Sequence, residues 1–330
     1  MKHSRREVLL GVGAAAIAAK GLASDRAGAE PLAGALSSRL GVQLYMLGHV
    51  DPQALPGALK SLAGIGYREV EGSPSGMAAV KYRAALDAAG LRCTSIHTGI
   101  DPAPNGLSLA RTSDLVTFAK TVGTKNIVVA GYPVMSLLPE PVNINEIIGD
   151  AAKIAQLSVR LKPLVDAMTV DNWLWYTRQL NEYGAKLASA GLRIGCHNHA
   201  GEFIKLANGR NLYELLMAET DPKLVDFELD LGWARAADFD PSTVLKLYGP
   251  RVTQLHAKDF RGKVASTGEN PAPADIGQGI QDWNAIADAI KQTSVQHLYI
   301  EQEPPYPVSG LKSAAIGYAF LRPLLASKGI

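Results

Sequence analysis

Four short runs in this chain set ionisable side chains two residues apart: His197-Asn198-His199, Glu228-Leu229-Asp230, Gln254-Leu255-His256-Ala257-Lys258 and Glu301-Gln302-Glu303. Alternate residues of an extended strand share a face, so each run offers two or more polar groups to one side. Where such sides converge, carboxylates and imidazoles meet, and anions that close repel unless a cation neutralises them. One divalent metal ion is the simplest such cation. Imidazole and carboxylate donors without a thiolate suit Mn, Co, Zn, Fe or Mg, and donor type does not choose among them. A purely structural ion-pair network on Lys258 and Arg251 is the alternative.

These groups meet only if the elements that carry them do. Apolar runs at 42–46, 67–72, 93–99, 126–132, 193–199, 225–233, 252–259 and 297–303 alternate with helical patterns such as 77–89, 113–122, 172–190, 211–219 and 283–292. Eight strands with intervening helices predict an α/β fold, a single-domain (β/α)8 TIM barrel over 41–330 reached by a short leader at 30–40. An open doubly wound sheet would carry a G-x-G-x-x-G turn after its first strand, and VQLYMLGHVD has none. Barrel sites form at the C-terminal ends of the strands. Of seven histidines, His97, His197, His199 and His256 close strands, His49 follows strand one, His297 begins strand eight and His3 lies near the N-terminus. The stretch 133–170, with Pro133, Pro139, Pro141 and Pro163 around a helical pattern at 144–161, exceeds an ordinary βα loop. It is either a lid over the mouth or a packing surface for a second copy in a homo-oligomer.

The chain has 330 residues, 47% hydrophobic and 19% charged, a composition that excludes disordered, collagen-like and coiled-coil classes. Cys93 and Cys196 are too few for a disulfide framework or a cysteine-rich zinc site, and their apolar surroundings mark them as core thiols. Arg5 and Arg6 precede an apolar, Ala-rich run from Val8 to Ala19, and Ala27 and Ala29 supply an A-x-A cleavage pattern. We expect a twin-arginine signal peptide over 1–29 and a periplasmic location, with no stable membrane insertion after processing, since the apolar run falls short of the roughly 20 residues of a spanning helix. Removing 1–29 takes away five cations and two anions, leaving 28 against 29 and a formal charge of −1. Such a surface offers no footprint for a phosphate backbone, so no nucleic-acid partner is expected.

The runs IGCHNHAGEF (194–203), FELDLGW (227–233), LHAKDF (255–260), DIGQGIQDW (275–283) and YIEQE (299–303) resemble the xylose-isomerase-like family of sugar isomerases and epimerases from about residue 40 to the C-terminus. The resemblance implies one divalent metal held from strands five to eight by Glu, Asp, His and Glu, of which Asp230, His256 and Glu301 match the last three. The strand-five Glu is absent: the position falls at or near His197, which we place in the ligand set, with His199 and Glu202 as the alternatives. The His-Asn-His run is similar to a subgroup that includes inosose dehydratase-like and keto-glycoside-cleaving enzymes. It implies a small, non-phosphorylated carbohydrate as partner and abstraction of the proton α to its carbonyl. The metal would act as a Lewis acid, Lys258 would hold charge on oxygen, and His199 or Glu301 would take the proton. Loss of a β-leaving group would make the enzyme a lyase, and reprotonation an isomerase or epimerase. His97, Glu71, Glu202 and Trp233 are expected to bind substrate; Phe203 and Trp233 could stack on a sugar face, although simple packing is the commoner role of each, and Asp259 is expected to orient its neighbours. A non-catalytic periplasmic carbohydrate-binding protein is the reading from another class.

Overall fold

The computed structural model describes residues 35–330 apart from 49, 73–76, 102–106, 141, 143–146, 148–149, 206–209 and 266–268. The leader expected over 1–29, His49, Pro141 and part of the 144–161 pattern lie outside the described residues. Eight parallel strands close into one barrel: β1 (Gly41–Gln43), β2 (Glu69–Glu71), β3 (Arg92–Thr98), β4 (Asn126–Val129), β5 (Arg193–His197), β6 (Val225–Asp230), β7 (Val252–Ala257) and β8 (His297–Ile300), in the spatial order β1-β8-β7-β6-β5-β4-β3-β2. The expected (β/α)8 barrel is therefore the observed fold.

Strand β6 shows how composition builds the wall. All six of its residues are buried, with Val225, Phe227 and Leu229 on one parity and Asp226, Glu228 and Asp230 on the other. The apolar parity meets the surrounding helices and the acidic parity lines the lumen, as a parallel strand covered on both faces requires. The register then aligns the acidic and imidazole residues: His197 pairs with Glu228, Asp230 with His256, and His256 with Tyr299.

Around the barrel run α1 (Leu55–Ile65), α2 (Ala79–Ala89), α3 (Thr112–Val122), α4 (Ala151–Asp166), α5 (Val170–Ser189), α6 (Leu212–Glu219), α7 (Leu231–Ala236), α8 (Pro241–Tyr248), α9 (Trp283–Ile290) and α10 (Gly310–Ser327). Leu59, Leu115, Leu180, Leu187 and Ile286 are among the helix residues that bury against the wall. The Asp240-Pro241 pair starts α8 as its types suggest: Pro241 occupies the first turn and Asp240 accepts the Thr243 N–H at 3.0 Å. None of the described helices is long and apolar enough to cross a membrane.

At the base of the barrel Glu69 binds Arg39 (3.3 Å), Arg92 (3.5 Å) and His297 Nδ1 (2.6 Å), so His297 belongs to the end opposite the candidate site. Arg251 donates to the carbonyl oxygens of Met217 and Val225 and to Thr220 Oγ1, outside the Lys258 cluster. The alternative of one structural network on Lys258 and Arg251 is not the observed arrangement, since the ion pairs of Lys258 run to Asp230, Glu301 and Glu303. In the insertion, a 3-10 turn at Val134–Leu137 precedes α4, which is capped by Asp150 on the Lys153 N–H and runs through Pro163 to Asp166, past the expected end at 161.

Candidate active site

The C-terminal ends of β2, β3, β5, β6, β7 and β8 bring eight ionisable side chains into one cluster: Glu71, His97, His197, Glu228, Asp230, His256, Lys258 and Glu301. His256 lies at its centre, fully buried, with Nε2 2.5 Å from Glu71 Oε2 and Nδ1 2.6 Å from Glu301 Oε2. His97 stacks parallel to it with ring centroids 5.2 Å apart, and places Nε2 2.7 Å from Glu228 Oε2 and 3.2 Å from Glu71 Oε2. His197 faces the same Glu228 oxygen through Nδ1 at 2.9 Å. Gln254 Nε2 donates to Glu228 Oε1 at 2.8 Å, and Gln43 Nε2 to Glu71 Oε2 at 3.0 Å.

Asp230 ends β6 and begins α7, and its two oxygens do different work. Oδ1 accepts the Trp233 N–H at 2.8 Å as the helix cap, while Asn198 clamps the Asp230 backbone on both sides, accepting its N–H at 3.0 Å and donating to its carbonyl at 3.3 Å. Oδ2 stays buried without a hydrogen-bond partner and touches Lys258 Nζ at 2.9 Å only as an ion pair. Lys258 Nζ also meets Glu301 Oε2 at 3.0 Å and Glu303 Oε1 at 2.7 Å. Gly232 permits this packing, since a Cβ there would lie 2.6 Å from Lys258 Cγ. The indole ring of Trp233 covers the ammonium, 5.3 Å from centroid to Nζ.

Burial and neighbouring charge divide the imidazoles. Burial pushes His97 down, yet Glu71 and Glu228 outweigh it and bring it up to about 10. Burial also opposes protonation of His256, but Glu228, Glu301 and Glu71 raise it well above the ordinary value. His197 is driven well below that value by burial, against the pull of Glu228, and is neutral. His199, although its surface is exposed, is lowered to about 3 by desolvation among the surrounding protein groups and then by Lys258. Lys258 stays charged because Asp230, Glu301 and Glu303 overcome its burial. The same lysine, with His256, holds Glu301 well below the usual carboxylate range despite burial.

The structure sorts the expected site residues. His97, His197, Asp230, His256, Lys258, Glu301 and Glu71 share the cluster, and the ring of His199 sits beside it, 5.0 Å from that of His197 and 5.9 Å from that of Trp233. Of the three strand-five candidates, His197 Nε2 comes within 3.9 Å of Asp230 Oδ2. Glu202 instead folds back to accept the His199 N–H at 2.8 Å, so it caps a turn and does not replace the missing ligand; burial pushes its carboxyl up to about 7. Glu71, expected to bind substrate, is fully buried, with Oε2 on His256 and Gln43 and Oε1 left without a hydrogen-bond partner. Phe203 takes the packing role: it is buried, stacked on Tyr213 at 5.0 Å and packed on Phe239. Trp233 borders the cluster and keeps an unpaired, buried Nε1–H. Asp259 accepts from the backbone N–H groups of Phe260, Gly277, Gly279 and Gln281 and from Trp283 Nε1, tying down the DIGQGIQDW segment as its orienting role requires.

Sequence reasoning placed Glu228 on the Asp230 face without giving it a role, and did not single out Gln43. Both now bind the cluster directly. The donor chemistry fits a divalent cation: Asp230, His256 and Glu301 each offer an atom within 4.8 Å of the others, all three are buried, and Asp230 Oδ2 is orphaned. Three carboxylates around one lysine, Asp230, Glu301 and Glu303, also leave a negative surplus that such an ion offsets.

An inosose dehydratase from Lactiplantibacillus plantarum is 36% identical over 93 residues, which cover 28% of this chain and 30% of that protein. An inosose dehydratase from Bacillus anthracis is 29% identical over 149 residues, covering 44% and 43% respectively. The chain thus spans less than half the length of these curated relatives. A sugar phosphate isomerase/epimerase from Parabacteroides distasonis superposes with a TM-score of 0.62 at 23% identity, covering 91% of this chain and 99% of that one, a likeness of fold. The profile of the xylose isomerase-like TIM barrel matches residues 59–324, most of the chain. With the closed parallel barrel and the polar cluster at its strand ends, that match makes this chain a member of the xylose isomerase-like TIM barrel family.

Proposed function

We propose that this protein is an exported, metal-dependent carbohydrate enzyme that abstracts the proton α to a carbonyl of a non-phosphorylated keto-sugar or keto-glycoside and expels a β-substituent. The observation that carries this reading is the junction of three buried residues able to hold a cation, Asp230, His256 and Glu301, with a Lys258 whose pKa three carboxylates raise and a His199 whose pKa is lowered. A divalent cation bound at the triad would polarise the substrate carbonyl as a Lewis acid.

The protein's own groups supply the rest. Lys258 is positioned to donate to the oxygen on which negative charge develops. Lys258 and His256 hold Glu301 so far down that it is a poor proton acceptor. Among the described residues no ion pair joins a carboxylate to the His199 ring; desolvation and Lys258 hold it down, and the second restraint weakens once a substrate oxyanion faces the lysine. It therefore takes the proton in this scheme, with Glu301 as the alternative. The inosose dehydratase relatives support elimination as the outcome. Reprotonation of the substrate, as in an isomerase or epimerase, is the second reading, favoured by the name of the Parabacteroides neighbour. The Arg5-Arg6 leader supports a periplasmic site of action, where free or glycosidic sugars are the available substrates.

The test is elemental analysis of the purified mature protein, then proton NMR of candidate keto-sugars and keto-glycosides in deuterated water. Exchange at one carbon together with loss of the leaving group is expected. Isomerisation without loss supports the second reading, and binding without exchange or turnover makes the protein a carbohydrate receptor.

A further inference from the structure

Resting on the reading that Asp230, His256 and Glu301 face a divalent cation, we propose that Glu71 and Glu228 are positioning residues. They hold the N–H groups of His256 and His197 on the inner side of the cluster, so that the remaining ring nitrogens face Asp230. An imidazole that binds a cation uses the lone pair of one nitrogen and keeps its proton on the other, and the partner of that second nitrogen decides which is which. Here His256 turns Nε2 to Glu71 Oε2 at 2.5 Å, and His197 turns Nδ1 to Glu228 Oε2 at 2.9 Å. The outward nitrogens, His256 Nδ1 and His197 Nε2, each lie 3.9 Å from Asp230 Oδ2, whose close contact is the Lys258 ammonium, and His256 Nδ1 also meets Glu301 Oε2 at 2.6 Å.

The two carboxylates are themselves braced. Gln43 from β1 donates to Glu71, and Gln254 from β7 donates both to Glu228 Oε1 and to Ser95 Oγ. His97 from β3 bridges them, 2.7 Å from Glu228 Oε2 and 3.2 Å from Glu71 Oε2. Turning His197 to its other tautomer would set its Nδ1 lone pair against a carboxylate lone pair within hydrogen-bond distance, a buried repulsion. The brace therefore selects the His197 tautomer before any ion arrives, whereas His256, with a carboxylate at each nitrogen, holds a proton on both and gives up the Nδ1 proton when an ion binds. The brace also gives His97 a place between the two carboxylates instead of on a substrate hydroxyl.

The experiment titrates Zn2+ calorimetrically into the metal-free mature protein, its Glu71→Met and Glu228→Met variants, and the matching Glu→Gln variants. Methionine fills the space without accepting a proton, and we expect zinc affinity to fall about 10–100-fold, the usual effect of removing such a partner. Glutamine keeps an acceptor oxygen and should recover part of the loss. Nitrogen-15 spectra of labelled histidines supply a readout that a merely structural role would not move. His197 should be protonated on Nδ1 only and, with zinc bound, His256 on Nε2 only; these wild-type spectra and the glutamine variants decide the matter should the methionine variants not fold. Unchanged affinity in all the variants, or mixed tautomers in the wild type, would overturn the proposal. So would loss of zinc on His97→Ala as complete as on Asp230→Ala, which would place the ion among His97, His197, Glu228 and His256. A wild type that binds no zinc would sink the cation reading instead, and the His197 spectrum would then decide the role of Glu228 by itself.

Discussion

Replacing Lys258 by Met retains the stem and removes a buried ammonium from three carboxylates. At the observed 2.7–3.0 Å separations, each contact is a gross attraction of about 6 kcal/mol at an effective dielectric of about 20. Desolvation cancels much of this, and the net cost of breaking a buried ionic cluster from one side is about 3–5 kcal/mol. We therefore expect the variant, stripped of metal with a chelator, to lose about 3–5 kcal/mol in denaturant unfolding at pH 7.5. The pH dependence gives the cause. Lys258 lowers the carboxyl groups of Asp230, Glu301 and Glu303, so its removal raises all three. The folded variant then takes up protons at higher pH than the folded wild type, and the stability gap narrows as pH falls from 7.5 to 5. Glu301 in the wild type, with its carboxyl held well below the usual range, contributes stability above its unfolded pKa and keeps it over this window. A gap below about 1 kcal/mol, the scale of an exposed ion pair, or one that stays constant between pH 7.5 and pH 5, would refute the reasoning.

His199→Gln should keep the fold and the bound metal while turnover falls about 10²–10⁴-fold, as for loss of a positioned acid–base group; unchanged steady-state rates would remove His199 from the chemistry. Glu202, pushed up to about 7 by burial, contributes stability at acid pH that is lost as pH rises through 7. Glu202→Gln should therefore gain stability relative to the wild type on going from pH 5 to pH 8, and denaturant unfolding that shows the same difference at both pH values counts against this. Changing Arg5 and Arg6 together to Lys should keep the protein in the cytoplasm; normal recovery from a periplasmic fraction would dispose of the twin-arginine route.

Much of this molecule was legible locally. Strand parity is a property of a few consecutive residues, so the pairs His197/His199, Glu228/Asp230, His256/Lys258 and Glu301/Glu303 could be placed on shared faces before any fold was known. The same holds for the eight apolar runs, whose alternation with helical patterns leaves a closed barrel as the arrangement that buries both faces of every strand. Parity does not carry beyond the strand. Glu202 and Phe203 lie in a 3-10 turn after β5, where period-two reasoning lapses and the partners of each side chain come from the fold.

Only the closed barrel decided which partners meet across the lumen. Glu71 and His256 are 185 residues apart in sequence, and β2 and β7 are separated in the wall by β1 and β8. His97 and Glu228 meet likewise from β3 and β6, over β4 and β5. Such contacts depend on the stagger of every strand between them, a sum of registers that includes irregularities between Val70 and Glu71 and between Phe227 and Glu228. Residue types and their spacing determined that carboxylates and imidazoles would gather at one end of a barrel. Which oxygen accepts from which ring nitrogen, and hence which lone pairs are left to face Asp230, follows from distances set by barrel closure, which no local stretch of the chain encodes.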